Sequence, residues 1–81
     1  MLNPNTNFFQ SRDLYFSSFL LATNHDLQDL SFDNLGGFFW FVFEDKDECE
    51  KLEKLFQFNK LTVNAKDMAE SIKYLKRRIS K

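Results

Sequence analysis

Glycine, proline, cysteine and histidine are scarce in this sequence, which has two Gly, one Pro, one Cys and one His among 81 residues. The single cysteine, Cys49, excludes an intrachain disulfide, and the N-terminus lacks the basic and apolar regions of a signal peptide. Every apolar segment is far shorter than the roughly 20 residues that a transmembrane helix needs. We therefore expect a soluble cytoplasmic protein without membrane association.

Because His, Cys and Gly are scarce, few residues could form a catalytic or metal site. One His and one Cys would leave only carboxylates as metal ligands, and the acidic residues 44–50 lack the glycine and the spacing of a calcium loop. The adjacent Gly36 and Gly37 exclude a glycine-rich phosphate loop. His25 and Cys49 are better explained as a capping histidine and a core cysteine than as a catalytic pair. We expect no enzyme, no catalytic residue, no metal, no cofactor and no small-molecule substrate.

Aromatic residues, in contrast, are abundant, and 11 of the residues are Phe. Six consecutive apolar side chains, Phe38 to Phe43, lie between Gly36-Gly37 and the acidic Glu44-Asp45. Side chains alternate between the two sides of a strand, so this segment predicts a strand that is buried on both faces.

Hydrophobic periodicity predicts three helices, at about 12–23, 46–57 and 65–79. Ser11 is the expected N-cap of the first, Asn64 caps the third, and Asp45 caps the second with Glu48 in the capping-box position. Asn24, which tolerates a left-handed backbone, is expected to end the first helix.

Residues 27–33 alternate, and with the turn-forming residues that follow they predict an antiparallel hairpin with residues 37–43. Short strands are predicted near 8–10 and near 61–63, where a linker is the alternative. The fold class is therefore α+β, a small antiparallel sheet packed by three helices. The helices should cover one sheet face, and either the third helix or a second copy of the protein should cover the other.

The predicted domain organisation is a flexible N-terminal segment, residues 1–7, followed by one domain, residues 8–81. Charge is divided along the chain: residues 1–59 hold 4 basic and 10 acidic side chains, whereas residues 60–81 hold 7 basic and 2 acidic ones. The chain thus combines an acidic body with a basic C-terminal helix.

Three sequence blocks, Phe9 to Tyr15 with Phe19 to Ala22, Trp40 to Asp45 with Cys49-Glu50, and Val63 to Lys66, resemble a small domain family of bacterial and viral genomes. That family has no known function. The resemblance spans Phe9 to Ile79 and implies a compact single domain carried by a phage or mobile element. It implies no activity and no site residue.

The basic C-terminal helix is the clearest candidate for a binding surface. A nucleic acid or another anionic partner would be bound by Lys66, Lys73, Arg77, Arg78 and Lys81. The alternative is a solvated helix end whose lysines pair with the acidic body. An aromatic platform for RNA bases on the central strand is disfavoured, because such platforms interleave Arg, Lys and Gly with the aromatics.

Three functional hypotheses follow. The first is a non-enzymatic interaction domain that acts through protein–protein contacts and self-associates, most simply as a homodimer. The second is a nucleic-acid-binding accessory protein that uses the basic helix. The third is a phage-type inhibitor of a host protein, in which Asp47, Glu48 and Glu50 mimic phosphate.

Overall fold

Three antiparallel strands and three helices form an α+β fold, as predicted, in a computed structural model that describes residues 8–80. The predicted flexible segment 1–7 and Lys81 lie outside the described residues. The elements, in chain order, are β1 (Phe8–Ser11), α1 (Leu14–Ala22), β2 (Leu27–Asp33), β3 (Phe38–Glu44), α2 (Lys46–Gln57) and α3 (Ala65–Ile79). None of these helices has both the length and the apolar character needed to span a membrane.

The aromatic strand β3 is the centre of the sheet, whose strand order is β1-β3-β2. Phe9 pairs with Phe43 on one side, and Leu30 pairs with Phe41 on the other. A bulge between Leu27 and Asp29 accounts for the irregular alternation of β2. The predicted strand near 8–10 is confirmed, whereas residues 61–63 form the linker alternative and not a strand.

Helix α1 begins later than predicted, and its N-cap is Asp13 instead of Ser11. Ser11 is still part of β1, where it pairs with Phe41, so its backbone cannot yet turn into a helix. The Asp13 carboxylate accepts hydrogen bonds from the backbone N–H groups of Tyr15 (2.9 Å) and Phe16 (3.2 Å). At the other end Asn24 adopts a φ of 70°, the left-handed backbone that was expected there.

Helices α2 and α3 have the predicted limits, because their caps are the predicted ones. Asp45 accepts a hydrogen bond from the backbone N–H of Glu48 (3.2 Å), and Asn64 accepts one from that of Asp67 (3.0 Å). Each cap satisfies a donor that a helix N-terminus leaves unpaired.

Helix α1 lies between the sheet and α3, and it is buried around most of its circumference. Phe16, Phe19 and Leu20 belong to the same core cluster as Phe41 and Phe43 of the sheet. Leu75 of α3 completes that cluster, which places α3 on the same side of the sheet as α1. Helix α3 therefore does not cover the second sheet face.

The prediction that β3 is buried on both faces is wrong for half of the strand. Phe41, Val42 and Phe43 are buried, but Phe38 to Trp40 are only half-buried. The core extends along β3 only as far as Phe41, since all of its helices pack against one face and one end of the sheet.

Candidate functional site

The end of the β2–β3 hairpin carries apolar side chains that the core does not cover. We call this group the hairpin end, and it consists of Phe32, Leu35, Phe38, Phe39 and Trp40. Phe32 is 46% exposed and packs edge-on against Phe39, with ring centroids 5.0 Å apart. Leu35, at the turn, is fully exposed. Exposed apolar side chains in a cluster, unlike single ones, mark a contact surface.

Asp33 and the two glycines shape the turn of the hairpin. The Asp33 carboxylate accepts hydrogen bonds from the backbone N–H groups of Leu35 and Gly36, both at 3.0 Å, and Gly37 has a φ of 73°. The hydrogen bond from the Gly36 N–H has the largest effect on the pKa of Asp33 and lowers it. Desolvation opposes this effect, and hydrogen bonds from the Trp40 side chain and the Leu35 N–H lower the pKa further. Asp33 therefore carries its negative charge at neutral pH.

Phe38 is held by three neighbours on the sheet face opposite the helices. Its ring covers Gly36, where a Cβ atom would overlap the ring, so a side chain there would displace it. The ring also meets Trp40 edge-on, with centroids 5.1 Å apart, and the Arg12 guanidinium carbon lies 4.5 Å from its centroid. The result is a row of cation, phenyl and indole that faces away from the core.

No helix within residues 8–80 lies over the sheet face that bears this row, and we call it the open face. Strand pairing assigns each of its side chains to one of three strands. The central strand contributes Phe38, Trp40 and Val42; the β1 side contributes Gln10 and then Arg12, and the β2 side contributes Asp29, Ser31 and Asp33. Opposite charges thus flank an aromatic centre.

Helix α3 presents the basic surface that the sequence predicted. Lys66, Lys73 and Arg77 are exposed, and Lys73 and Arg77 line one depression together with Lys76 and Ser80. Within residues 8–80 no basic side chain of α3 forms an ion pair, so the predicted pairing with the acidic body does not occur there.

Of the five predicted basic residues, Arg78 and Lys66 do not line that depression. The Arg78 guanidinium donates a hydrogen bond to the Tyr74 hydroxyl (2.7 Å) and lies over its ring. Lys66 lies near the start of α3, away from the depression, and Lys81 falls outside the described residues.

His25 and Cys49 have separate structural partners. His25 Nε2 lies 2.8 Å from the Glu48 carboxylate, and His25 Nδ1 lies 3.3 Å from the carbonyl oxygen of Leu20 at the end of α1. Cys49 is fully buried, and its thiol donates to the carbonyl of Glu44. Burial, with the neighbouring carboxylates, raises the pKa of Cys49 to about 11, which opposes formation of a reactive thiolate.

Glu48 therefore connects α2 to the end of α1 instead of completing a capping box. Of the three acids in the phosphate-mimic hypothesis, only Asp47 and Glu50 lack a partner in the part of the chain that is described. Among residues 8–80, no three His, Cys, Asp or Glu side chains are grouped in a way that could hold a metal ion.

Sequence reasoning missed the hairpin end and Arg12. One signal was present: Asp29, Ser31 and Asp33 alternate along β2, so the sheet face they share with Trp40 and Phe38 carries too many polar groups for a core. The aromatic content of β3 outweighed that signal in the prediction.

No family model, no curated protein and no solved structure matches this chain, and its resemblance to the uncharacterised bacterial and viral family therefore stays a prediction.

Proposed function

We propose that the protein is a non-enzymatic, cytoplasmic interaction domain that works by protein–protein contact through the open face and hairpin end, and that it self-associates. The observation that carries this proposal is the half-buried pair Phe38 and Trp40 on a sheet face that no helix of the described part of the chain covers. Aromatic side chains and Arg are the residue types that supply most binding energy at protein interfaces.

Association through the β2 edge, one of the two edges of the sheet, is less favourable than association through the open face. The edge strand β2 carries Asp29 and Asp33, and its register is broken by a bulge. Charges and bulges on an edge strand discourage the addition of another strand. Antiparallel pairing of β2 with a second β2 would also bring these carboxylates near one another.

The test is sedimentation equilibrium on the purified protein and on Trp40→Ser. We expect the unaltered protein to form dimers that dissociate on dilution, and Trp40→Ser to be monomeric. Phe58→Ser is the matched control, because Phe58 is a 72% exposed aromatic at the end of α2 and does not belong to the hairpin end. A monomer of 9.7 kDa at every concentration would contradict self-association.

A second function, binding of a nucleic acid as an accessory protein, is favoured by the unpaired basic side chains of α3. Lys73, Lys76 and Arg77 lie together without a carboxylate partner within residues 8–80. Such a cluster would bind phosphates by electrostatic attraction that salt weakens.

This second function predicts that single-stranded or duplex DNA or RNA binds at low salt, and that affinity falls steeply as salt is raised. Lys73→Glu with Arg77→Glu should abolish binding, whereas Lys51→Glu on α2, which makes the same charge change per site elsewhere, should reduce it less. Equal binding by the α3 variant and the unaltered protein would contradict this function.

A further inference from the structure

We propose that the occupant of the open face is a second copy of this chain, packed face to face about a two-fold axis that runs along β3. This inference rests on the proposed function and specifies its partner. In this arrangement Arg12 of each copy lies against the β2 side of the other, where Asp33 is located.

Opposite charges lie on the two sides of the open face. Arg12 is exposed on the β1 side, and within residues 8–80 it has no ion-pair partner. Asp29, Ser31 and Asp33 form a row on the β2 side, with Ser31 opposite Trp40 and Asp33 opposite Phe38 in the strand register. Arg12, whose guanidinium lies over Phe38, is therefore level with Asp33 but on the other flank of β3.

Two sheets whose strands stay roughly aligned can pack face to face with two-fold symmetry in two ways. If the axis crosses the strands, β2 lies over the β2 of the other copy, and the row from Asp29 to Asp33 faces itself in reverse. That arrangement places carboxylates against carboxylates, which costs binding energy. If the axis runs along β3, β2 lies over β1 of the other copy, and the positive flank meets the negative flank twice. Charge complementarity therefore selects the second arrangement.

The aromatic residues suit the same arrangement, because they lie closest to its axis. Phe38 and Trp40 of one copy would meet the same residues of the other, and sheets packed in this way keep their strands roughly aligned. The alternative occupant, a single-stranded nucleic acid stacked on the rings, is opposed by the acidic row, which would repel phosphates.

The size of the face sets the expected strength of the dimer. Three strands about 4.8 Å apart and about 3.4 Å long per residue give a face of roughly 14 by 24 Å. This is well below the roughly 800 Å² per partner that stable complexes bury. We therefore expect a weak dimer, with a dissociation constant on the order of 100 µM.

The decisive experiment compares dimer dissociation constants, by sedimentation equilibrium, for the unaltered protein, Arg12→Glu, Ser31→Lys and the double variant. Both single variants place like charges together and should weaken the dimer by about tenfold each. The double variant exchanges the two charges and should return to within about threefold of the unaltered protein. Arg12 and Ser31 are both exposed, and a circular dichroism melt of each variant confirms that it is folded.

Each other outcome has a distinct meaning. If Ser31→Lys strengthens the dimer, the carboxylate rows face each other and the proposed axis is wrong, although self-association stands. If Trp40→Ser is monomeric but the charge variants show no coupling, the inference again fails alone. If the unaltered protein is monomeric throughout, or if Trp40 is needed only for binding an oligonucleotide, the inference and the proposed self-association both fail.

Discussion

At the residue scale, Ser17 is the one buried side chain of α1 whose polar atom has no partner. Its hydroxyl is fully buried, and it makes no hydrogen bond with any part of the chain between residues 8 and 80. The adjacent Ser18 is equally buried, but its hydroxyl donates to the carbonyl of Leu14 (2.8 Å). An unpaired buried hydroxyl destabilises the folded state, whereas a paired one does not.

Ser17→Ala should therefore raise the free energy of unfolding by about 1 kcal/mol, because it removes a polar group that burial leaves unsatisfied. Ser18→Ala, the matched control, should leave stability unchanged or lower it slightly. Urea unfolding followed by circular dichroism measures both changes. A loss of stability in Ser17→Ala as large as that in Ser18→Ala would show that the Ser17 hydroxyl has a partner.

Cys49 gives a second prediction at this scale, one that depends on pH. Its pKa, raised to about 11, means that the folded protein keeps the thiol protonated through neutral pH, whereas unfolding returns the pKa to its ordinary value. Below pH 9 the thiol is protonated in both states, so Cys49 does not make the free energy of unfolding depend on pH. That free energy falls as pH rises from about 9, the unfolded pKa, towards 11, because the unfolded chain loses the proton first.

Iodoacetamide should accordingly label Cys49 slowly in the native protein at pH 8, since burial and the raised pKa both protect the sulfur. It should label Cys49 rapidly in the protein unfolded by concentrated denaturant. Mass spectrometry of timed samples measures the two rates. Labelling of the native protein at the rate of the unfolded chain would show that Cys49 is accessible.

At the scale of the elements, the two helices with clear caps and periodic apolar stripes were predictable from the sequence. Asp45 and Asn64 each precede a regular stripe, and local hydrogen bonding alone fixes where α2 and α3 begin. The start of α1 was not predictable in this way. Ser11 belongs to β1 and pairs with Phe41, a residue far away in the chain, so local sequence does not reveal that it cannot cap the helix. The partial burial of β3 was likewise not predictable from the sequence, because it depends on how far α1 and α2 extend along the sheet.

The correction to α1 has a direct test. Asp13→Ala should lower the free energy of unfolding by about 1 kcal/mol, the usual contribution of an N-cap, because two backbone donors lose their acceptor. Asp13→Asn, which retains a capping oxygen, should recover most of that loss. Thermal or urea unfolding distinguishes the two variants, and equal stability of Asp13→Ala and the unaltered protein would contradict the assignment.

At the scale of the whole molecule, function is proposed to lie on two opposite surfaces. The layers run from the open face through the sheet and α1 to α3, so the aromatic row with its acidic flank and the basic depression face away from each other. Neither surface needs the other, and variants of one should leave the other unaffected. The sequence indicated the basic surface through its local charge, but not the open face, which exists only once the helices have packed on one side.

The central claim is that Trp40 lies on a contact surface and not in the core. Because Trp40 is the single tryptophan of the chain, its fluorescence reports on this surface alone. The most direct measurement is acrylamide quenching of that fluorescence across a dilution series, from concentrations above the dimer dissociation constant to well below it. We predict a blue-shifted, protected indole at high concentration that becomes red-shifted and readily quenched on dilution, and the same transition at about tenfold higher concentration in Arg12→Glu. Quenching that is equally weak at every concentration would contradict the account, because Trp40 would then be buried within a single copy.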